Sequence, residues 1–180
     1  MSPVPTAGQT VGPFFGYALP FPHDSELVVP GSAGAITLSG VVRDGRGEPV
    51  PDAILELWQP DADGNVVRQE GSLRRANAPA VFTGFGRAST DADGRYCFTT
   101  VVPGASFFSV TVFARGLLNR LFTRAYVPDD RLAADRLLNA LSDEQRDTLI
   151  TVRDEHGLRF DIRLQGDGET VFLRYPGHRA

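Results

Sequence analysis

Turn chemistry constrains this chain more than any other feature. Residues 36–66 read ITLSGVVRDGRGEPVPDAILELWQPDADGNV, short β-branched runs broken by Asp-Gly, Gly-Glu-Pro and a second Asp-Gly. Such steps supply turn conformations and remove the donors that a ladder needs, so each one ends a strand. Within AILELW, Ala53, Leu55 and Leu57 share one face while Ile54, Glu56 and Trp58 share the other, the period of two of a strand. A second DADG, at 91–94, separates FGRAST from YCFTTVV as a hairpin would. FFSVTVFARG (107–116), RLFTRAYV (120–127), RFDIRLQG (159–166) and TVFLRY (170–175) complete the series. Short, turn-punctuated strands at this spacing predict a mainly β fold, an antiparallel β-sandwich.

One stretch departs from that period. In DDRLAADRLLNALSDEQRDTLI, residues 129–150, Leu132, Asp135, Arg136 and Asn139 recur at helical spacing and Leu137, Leu138 and Leu141 fill an apolar stripe, which predicts a short helical insertion. Ser142 followed by Gln145 has the form of a capping box and starts a second short helix. Residues 68–82, RQEGSLRRANAPAVF, follow neither period and read as a long loop.

A chain of 180 residues suits one domain, 1–180. The net charge of −4 argues against nucleic acid as a partner, because phosphate binding wants a basic surface. All 18 basic residues are arginine, a side chain suited to planar carboxylates. The single cysteine, Cys97, excludes an intrachain disulfide and, lying between Tyr96 and Phe98, reads as a small core residue. No apolar stretch reaches the length of a membrane span and the start lacks the pattern of a secretion signal, so a cytoplasmic, soluble domain without a membrane partner is expected.

The two DADG segments are turns rather than calcium loops, since their glycines stand at position four and Ser72 and Val102 occupy position twelve. His23, His156 and His178 are not spaced as ligands and read as surface residues. Nucleophile-elbow and nucleotide-loop signatures do not occur. Arg115 follows an apolar run. In a strand regular that far it shares a face with Phe107, Ser109, Thr111 and Phe113, and taken alone it reads as an arginine reaching out to water at a strand end. The opening stretch is stranger: GQTVGPFFG, residues 8–16, is uncharged, stiff and sticky, unlike an ordinary polar terminus.

Taken together, QTVGPFF, GVVRDGRGEPVPDAILELWQPDADG, FGRASTDADGRYCFTTVVPG, VTVFARGLLNRLFTRAYVPDD and RFDIRLQGDGETVFL resemble, in order and across about residues 9–175, the intradiol ring-cleaving dioxygenases. The resemblance implies a β-sandwich and a non-haem Fe(III) held by two tyrosine phenolates and two histidines. It implies O2-dependent opening of a catechol, protocatechuate by likeness alone, between its two hydroxyl-bearing carbons. Catalytic chains of that family carry His-x-His where this chain has Phe107 and Ser109. Neither replaces a histidine: phenylalanine has no lone pair and a lone hydroxyl is a poor iron ligand. The loop expected to carry the first phenolate, 66–82, has no tyrosine, and Ala105 and Ser106 follow Pro103 and Gly104 where the second is expected. Tyr17, Tyr96, Tyr126 and Tyr175 stand at positions the family does not use for iron.

What the resemblance implies is therefore a chain that binds no iron, has no catalytic residue of its own, and pairs with a related beta chain holding the Fe(III) in a larger hetero-oligomer. Thr10, Gly12 and Pro13 match the family's N-terminal loop that lines the shared substrate pocket, and Arg115 matches an arginine pointing toward it. Residues 1–35 then act as a partner-docking arm in which Phe14 and Phe15 are anchors. GVVRDGRGEPVPDAILEL also suits a transthyretin-like binding module, but that reading gives no reason for TVGPFF or RFDIRLQGDGETVF.

Overall fold

The computed structural model describes residues 9–12, 15–68 and 81–175. Two sheets face each other. One runs β4–β1–β8–β7 with β9 beside β1, and the other runs β3–β2–β5–β6. The strands are β1 (Ala35–Arg43), β2 (Ile54–Trp58), β3 (Phe85–Ser89), β4 (Arg95–Val101), β5 (Phe107–Phe113), β6 (Leu121–Tyr126), β7 (Val152–Asp154), β8 (Gly157–Arg159) and β9 (Ile162–Arg163). Pairing is antiparallel except along one edge of β1, where β8 and β9 run parallel to it.

Side-chain alternation puts the core between the sheets. Leu38 and Val42 from β1, Leu55 and Leu57 from β2, Phe98 from β4 and Phe108, Val110 and Val112 from β5 are buried in one cluster. Each such side chain contributes roughly 1.5–3 kcal/mol. The same alternation corrects the expectation for Cys97. Tyr96 and Phe98 point inward, so the residue between them points out, and Cys97 is exposed.

Three tight turns share one device, and the one at 91–94 does not close the expected hairpin, because β3 and β4 lie in different sheets. Asp44, Asp61 and Asp91 each accept, through Oδ1, the N–H groups two and four residues on, while Gly47, Gly64 and Gly94 each donate back to the aspartate carbonyl. All three glycines have positive φ, between 73° and 88°, a region L side chains avoid. Both DADG segments are thus aspartate-centred turns.

Strand 159–166 breaks in the middle. The Phe160 carbonyl accepts from the buried Tyr96 hydroxyl at 2.5 Å, and Gly40 leaves no room there for a Cβ. Asp161 Oδ1 then takes the Val41 N–H at 3.1 Å in place of a ladder carbonyl. Residues 170–175 form no strand, making a single bridge to β6 at Leu173, whose N–H donates to the Phe122 carbonyl at 2.7 Å, while the Thr123 hydroxyl donates to the Val171 carbonyl at 2.9 Å.

The helical insertion is present but segmented. It consists of two 3-10 turns, Asp130–Ala134 and Leu138–Ala140, and one α-helix, Asp143–Asp147. Asp135 is the reason: it is extended at ψ 122°, and its Oδ1 accepts the Leu137 and Leu138 N–H groups at 2.8 and 3.0 Å, competing with helical bonds. Ser142 and Gln145 form the expected reciprocal capping box. Leu138 and Leu149 pack with Tyr126 and Phe107, so this insertion covers the end of the β5–β6 face turned away from the main core.

Candidate functional site

The arm and the turn after β5 meet. β5 ends at Phe113, Ala114 is buried, and the Leu117 N–H closes a turn onto the Ala114 carbonyl at 3.3 Å. That turn, with Gly116 at φ 86°, carries Arg115 off the strand, so the regular face from Phe107 to Arg115 does not extend that far. Thr10 Oγ1 accepts the Gly116 N–H at 2.9 Å, which places the arm directly against this turn. Gly12 lies two residues on at φ 77°, and no atom of the described residues beyond its chain neighbours comes within 4 Å of its Cβ position. The glycine is needed for backbone conformation rather than for close packing. Pro13 and Phe14 lie outside the described residues. A single helical turn, Phe15–Ala18, follows, with Phe15 buried and Tyr17 86% exposed.

Arg115 does not simply reach into water. Its Nε is ion-paired with Asp52 Oδ2, with the arginine side chain 54% and the aspartate 24% exposed. Asp52 is itself placed by its neighbour: the Ala53 N–H donates to the buried Thr90 Oγ1 at 2.9 Å, and that hydroxyl donates to the Val50 carbonyl at 2.7 Å. Pairs this exposed contribute about 0.2–1 kcal/mol, so the contact matters for orientation more than for stability. Gly16, Tyr17, Pro51, Asp52, Ser89, Thr90 and Arg115 line a cleft of about 410 Å³. A wider cleft of about 690 Å³ adjoins it at Ser89, with Arg43, Arg95 and Arg159 balanced by Asp24, Asp91 and Asp161.

Thr10 and Arg115 are therefore brought to one place, by way of Gly116. Asp52 is the member sequence reasoning missed, because PVPDA reads as turn punctuation and nothing local points to a residue so distant in sequence.

Phe107 and Ser109 sit together on β5, on the face turned away from the main core. Phe107 pairs with Tyr126 in register, their rings 5.3 Å apart, and the Arg124 guanidinium lies 4.0 Å from the Phe107 ring centre. Arg124 Nη1 donates to the Tyr126 hydroxyl at 3.1 Å, and that hydroxyl donates to Asp135 Oδ1 at 3.1 Å. Ser109 is exposed between Trp58 and Arg124 on the adjoining strands. Trp58 tilts onto Phe85 with ring centres 4.6 Å apart.

These residues do not suit a ferric ion. A trivalent cation there would share its place with the Arg124 cation, and anionic oxygen donors are what such an ion requires. Burial pushes the Tyr126 phenol up, so it stays protonated between Arg124 and Asp135. Burial also pushes the Tyr96 phenol well above its ordinary value, and its hydroxyl is committed to the Phe160 carbonyl. His23 and His156 pair with Glu26 and Glu155 at the surface. His178 and most of the 66–82 loop lie outside the described residues. Among the described residues, no helix is long and apolar enough to cross a membrane.

The chain is similar to known proteins in both sequence and fold. The sequence family described as Dioxygenase matches residues 12–111. The chain is 38% identical over 193 residues to the protocatechuate 3,4-dioxygenase alpha chain of Burkholderia cepacia, covering 93% of this chain and 96% of that one. It is 34% identical over 162 residues to the beta chain named for the same enzyme in that organism, covering 77% of this chain and 68% of the other. Among solved structures, the dioxygenase domain of a dioxygenase–carbohydrate-binding protein fusion from Streptomyces sp. SirexAA-E is 26% identical with a TM-score of 0.57, covering 91% of this chain and 99% of that one.

Proposed function

The chain belongs to the intradiol dioxygenase family and is an oxidoreductase subunit of that class; from this premise we propose that it is the alpha subunit of a protocatechuate 3,4-dioxygenase. In this reading a related beta chain holds the Fe(III). The assembled hetero-oligomer, in the cytoplasm, adds both atoms of O2 across the bond between the hydroxyl-bearing carbons of protocatechuate. The product is 3-carboxy-cis,cis-muconate, and no external reductant is consumed. The transthyretin-like alternative is not favoured by relatives of this kind.

The observation that carries the reading is the Thr10–Gly116 hydrogen bond, which sets the arm beside Arg115. Thr10, Gly12 and Pro13 then form a wall of the partner's pocket, and the exposed Tyr17 extends it, whereas Phe15 anchors the arm by burying itself within this chain rather than in a partner. Left-handed backbone at Gly12 lets main chain approach a flat ring without a side chain between them. Arg115 adds a cation for an anionic ligand. At 4 Å that attraction is roughly 4 kcal/mol at an effective dielectric of 20, before desolvation is subtracted. Excluding water from the shared chamber strengthens it. Phe107, Ser109 and Arg124 support the other half of the reading, since the positions on β5 that match the family's histidines hold a phenylalanine packed under Arg124 of β6 and a serine.

Arg115→Ala in the assembled complex tests this directly. Ring cleavage is expected to fall while the visible phenolate-to-iron absorption is retained, and unchanged kinetics would remove Arg115 from the pocket.

A further inference from the structure

We propose that Asp52 is a positioning residue for Arg115, presetting the guanidinium so that one edge is held and the other offered to an anionic group on the substrate. The inference rests on the placement of Arg115 in the shared pocket argued above. Three observations carry it. The nearest approach of the ion pair is at Nε of Arg115, on the side of the guanidinium away from the end formed by Nη1 and Nη2, where a second carboxylate is received in fork geometry. Asp52 is the less exposed partner, at 24% against 54%, and its backbone is locked through Ala53 to buried Thr90. Both residues line the same cleft, beside Tyr17 and Gly16 of the arm.

An unpaired arginine samples many rotamers, and ordering it on binding subtracts from affinity. A carboxylate held on Nε removes much of that cost before substrate arrives. The same carboxylate also competes electrostatically with an incoming anion. The two effects separate by substitution: alanine removes both, whereas asparagine keeps an oxygen to accept the Nε–H and removes only the charge.

The test uses the complex of this chain with an iron-bearing related chain, with protocatechuate and with catechol, which lacks the ring carboxylate. Asp52→Ala is expected to raise KM for protocatechuate about three- to fivefold, the scale of an exposed charge pair, with kcat and iron colour retained. KM for catechol is expected to stay within about 1.5-fold, because no anionic group is there to be read. Asp52→Asn is expected to return KM for protocatechuate to the parent value or below. The inference is overturned if Asp52→Ala leaves both KM values unchanged while Arg115→Ala raises that for protocatechuate. It is also overturned if Asp52→Ala lowers kcat or iron colour and Asp52→Asn does not rescue it, which would assign the pair to folding or assembly. If Arg115→Ala is itself silent, the placement of Arg115 in the pocket fails first and the role of Asp52 falls with it.

Discussion

Thr10 Oγ1 accepts the backbone N–H of Gly116 at 2.9 Å, a contact between residues 106 positions apart. It holds the uncharged leading segment against the turn that carries Arg115. Thr10→Ala removes the acceptor but leaves an exposed donor that water can satisfy, so the loss is local, about 0.5–1.5 kcal/mol. Amide exchange at Gly116 is expected to speed up about two- to tenfold without a matching change in the core strands. Equal acceleration throughout the sheets would show that the arm is integral to the fold rather than docked on it.

The Phe107 face gives a second expectation. The Tyr126 hydroxyl joins Arg124 on β6 to Asp135 in the 129–150 insertion. Tyr126→Phe leaves that buried bridge without its middle member, at a cost of about 1–3 kcal/mol. At about 2–4 °C per kcal/mol for a chain of this size, Tm is expected to fall by about 2–12 °C. Arg124→Met in the Tyr126→Phe background should then cost less than Arg124→Met alone, since the two side chains share one bond. Strict additivity would contradict the network.

Acid lability follows from two carboxylates. Hydrogen bonds from Arg131 hold Asp129 below the ordinary carboxyl range, and the Asn65 N–H does the same for Asp61. A depressed folded-state pKa means the unfolded chain binds more protons. Stability from both groups is therefore complete above the ordinary value of about 3.9 and is lost as pH falls through the folded-state values. Asp24 runs the other way: burial raises it, so its contribution weakens as pH rises through its folded value. Urea midpoints are expected to drop between about pH 4 and pH 2, and Asp129→Asn should flatten that drop. An unaltered acid limb in Asp129→Asn would contradict the pairing with Arg131.

What could be read in the sequence was whatever local chemistry determines. Asp44, Asp61 and Asp91 make their turns with bonds inside five residues, and Ser142 with Gln145 closes its box within four. Cys97 is exposed rather than core because Tyr96 and Phe98 both face the core, and strand alternation then turns the cysteine outward. The stripe from Leu132 to Leu141 predicts one short helix ahead of that box, but Asp135 spends its carboxylate on the Leu137 and Leu138 amides and divides it into two 3-10 turns. Residues 170–175 have strand composition but make one bridge to the edge strand β6, at Leu173, because the Val171 carbonyl is taken by the Thr123 side chain rather than by a ladder amide. Long-range pairs left no mark at all. Asp52 with Arg115, and Thr10 with Gly116, depend on how distant turns are folded together.

The most direct test of the central claim measures iron content and O2-dependent cleavage of protocatechuate for this chain purified alone and after co-expression with a related chain bearing two tyrosines and His-x-His. Alone, the chain is predicted to show neither phenolate-to-iron absorption nor ring opening. The co-expressed complex is predicted to show both. A ferric centre with turnover in this chain by itself would contradict the proposal, which rests on Phe107 and Ser109 at the expected histidine positions, with Arg124 over the Phe107 ring and Tyr126 held protonated beside it.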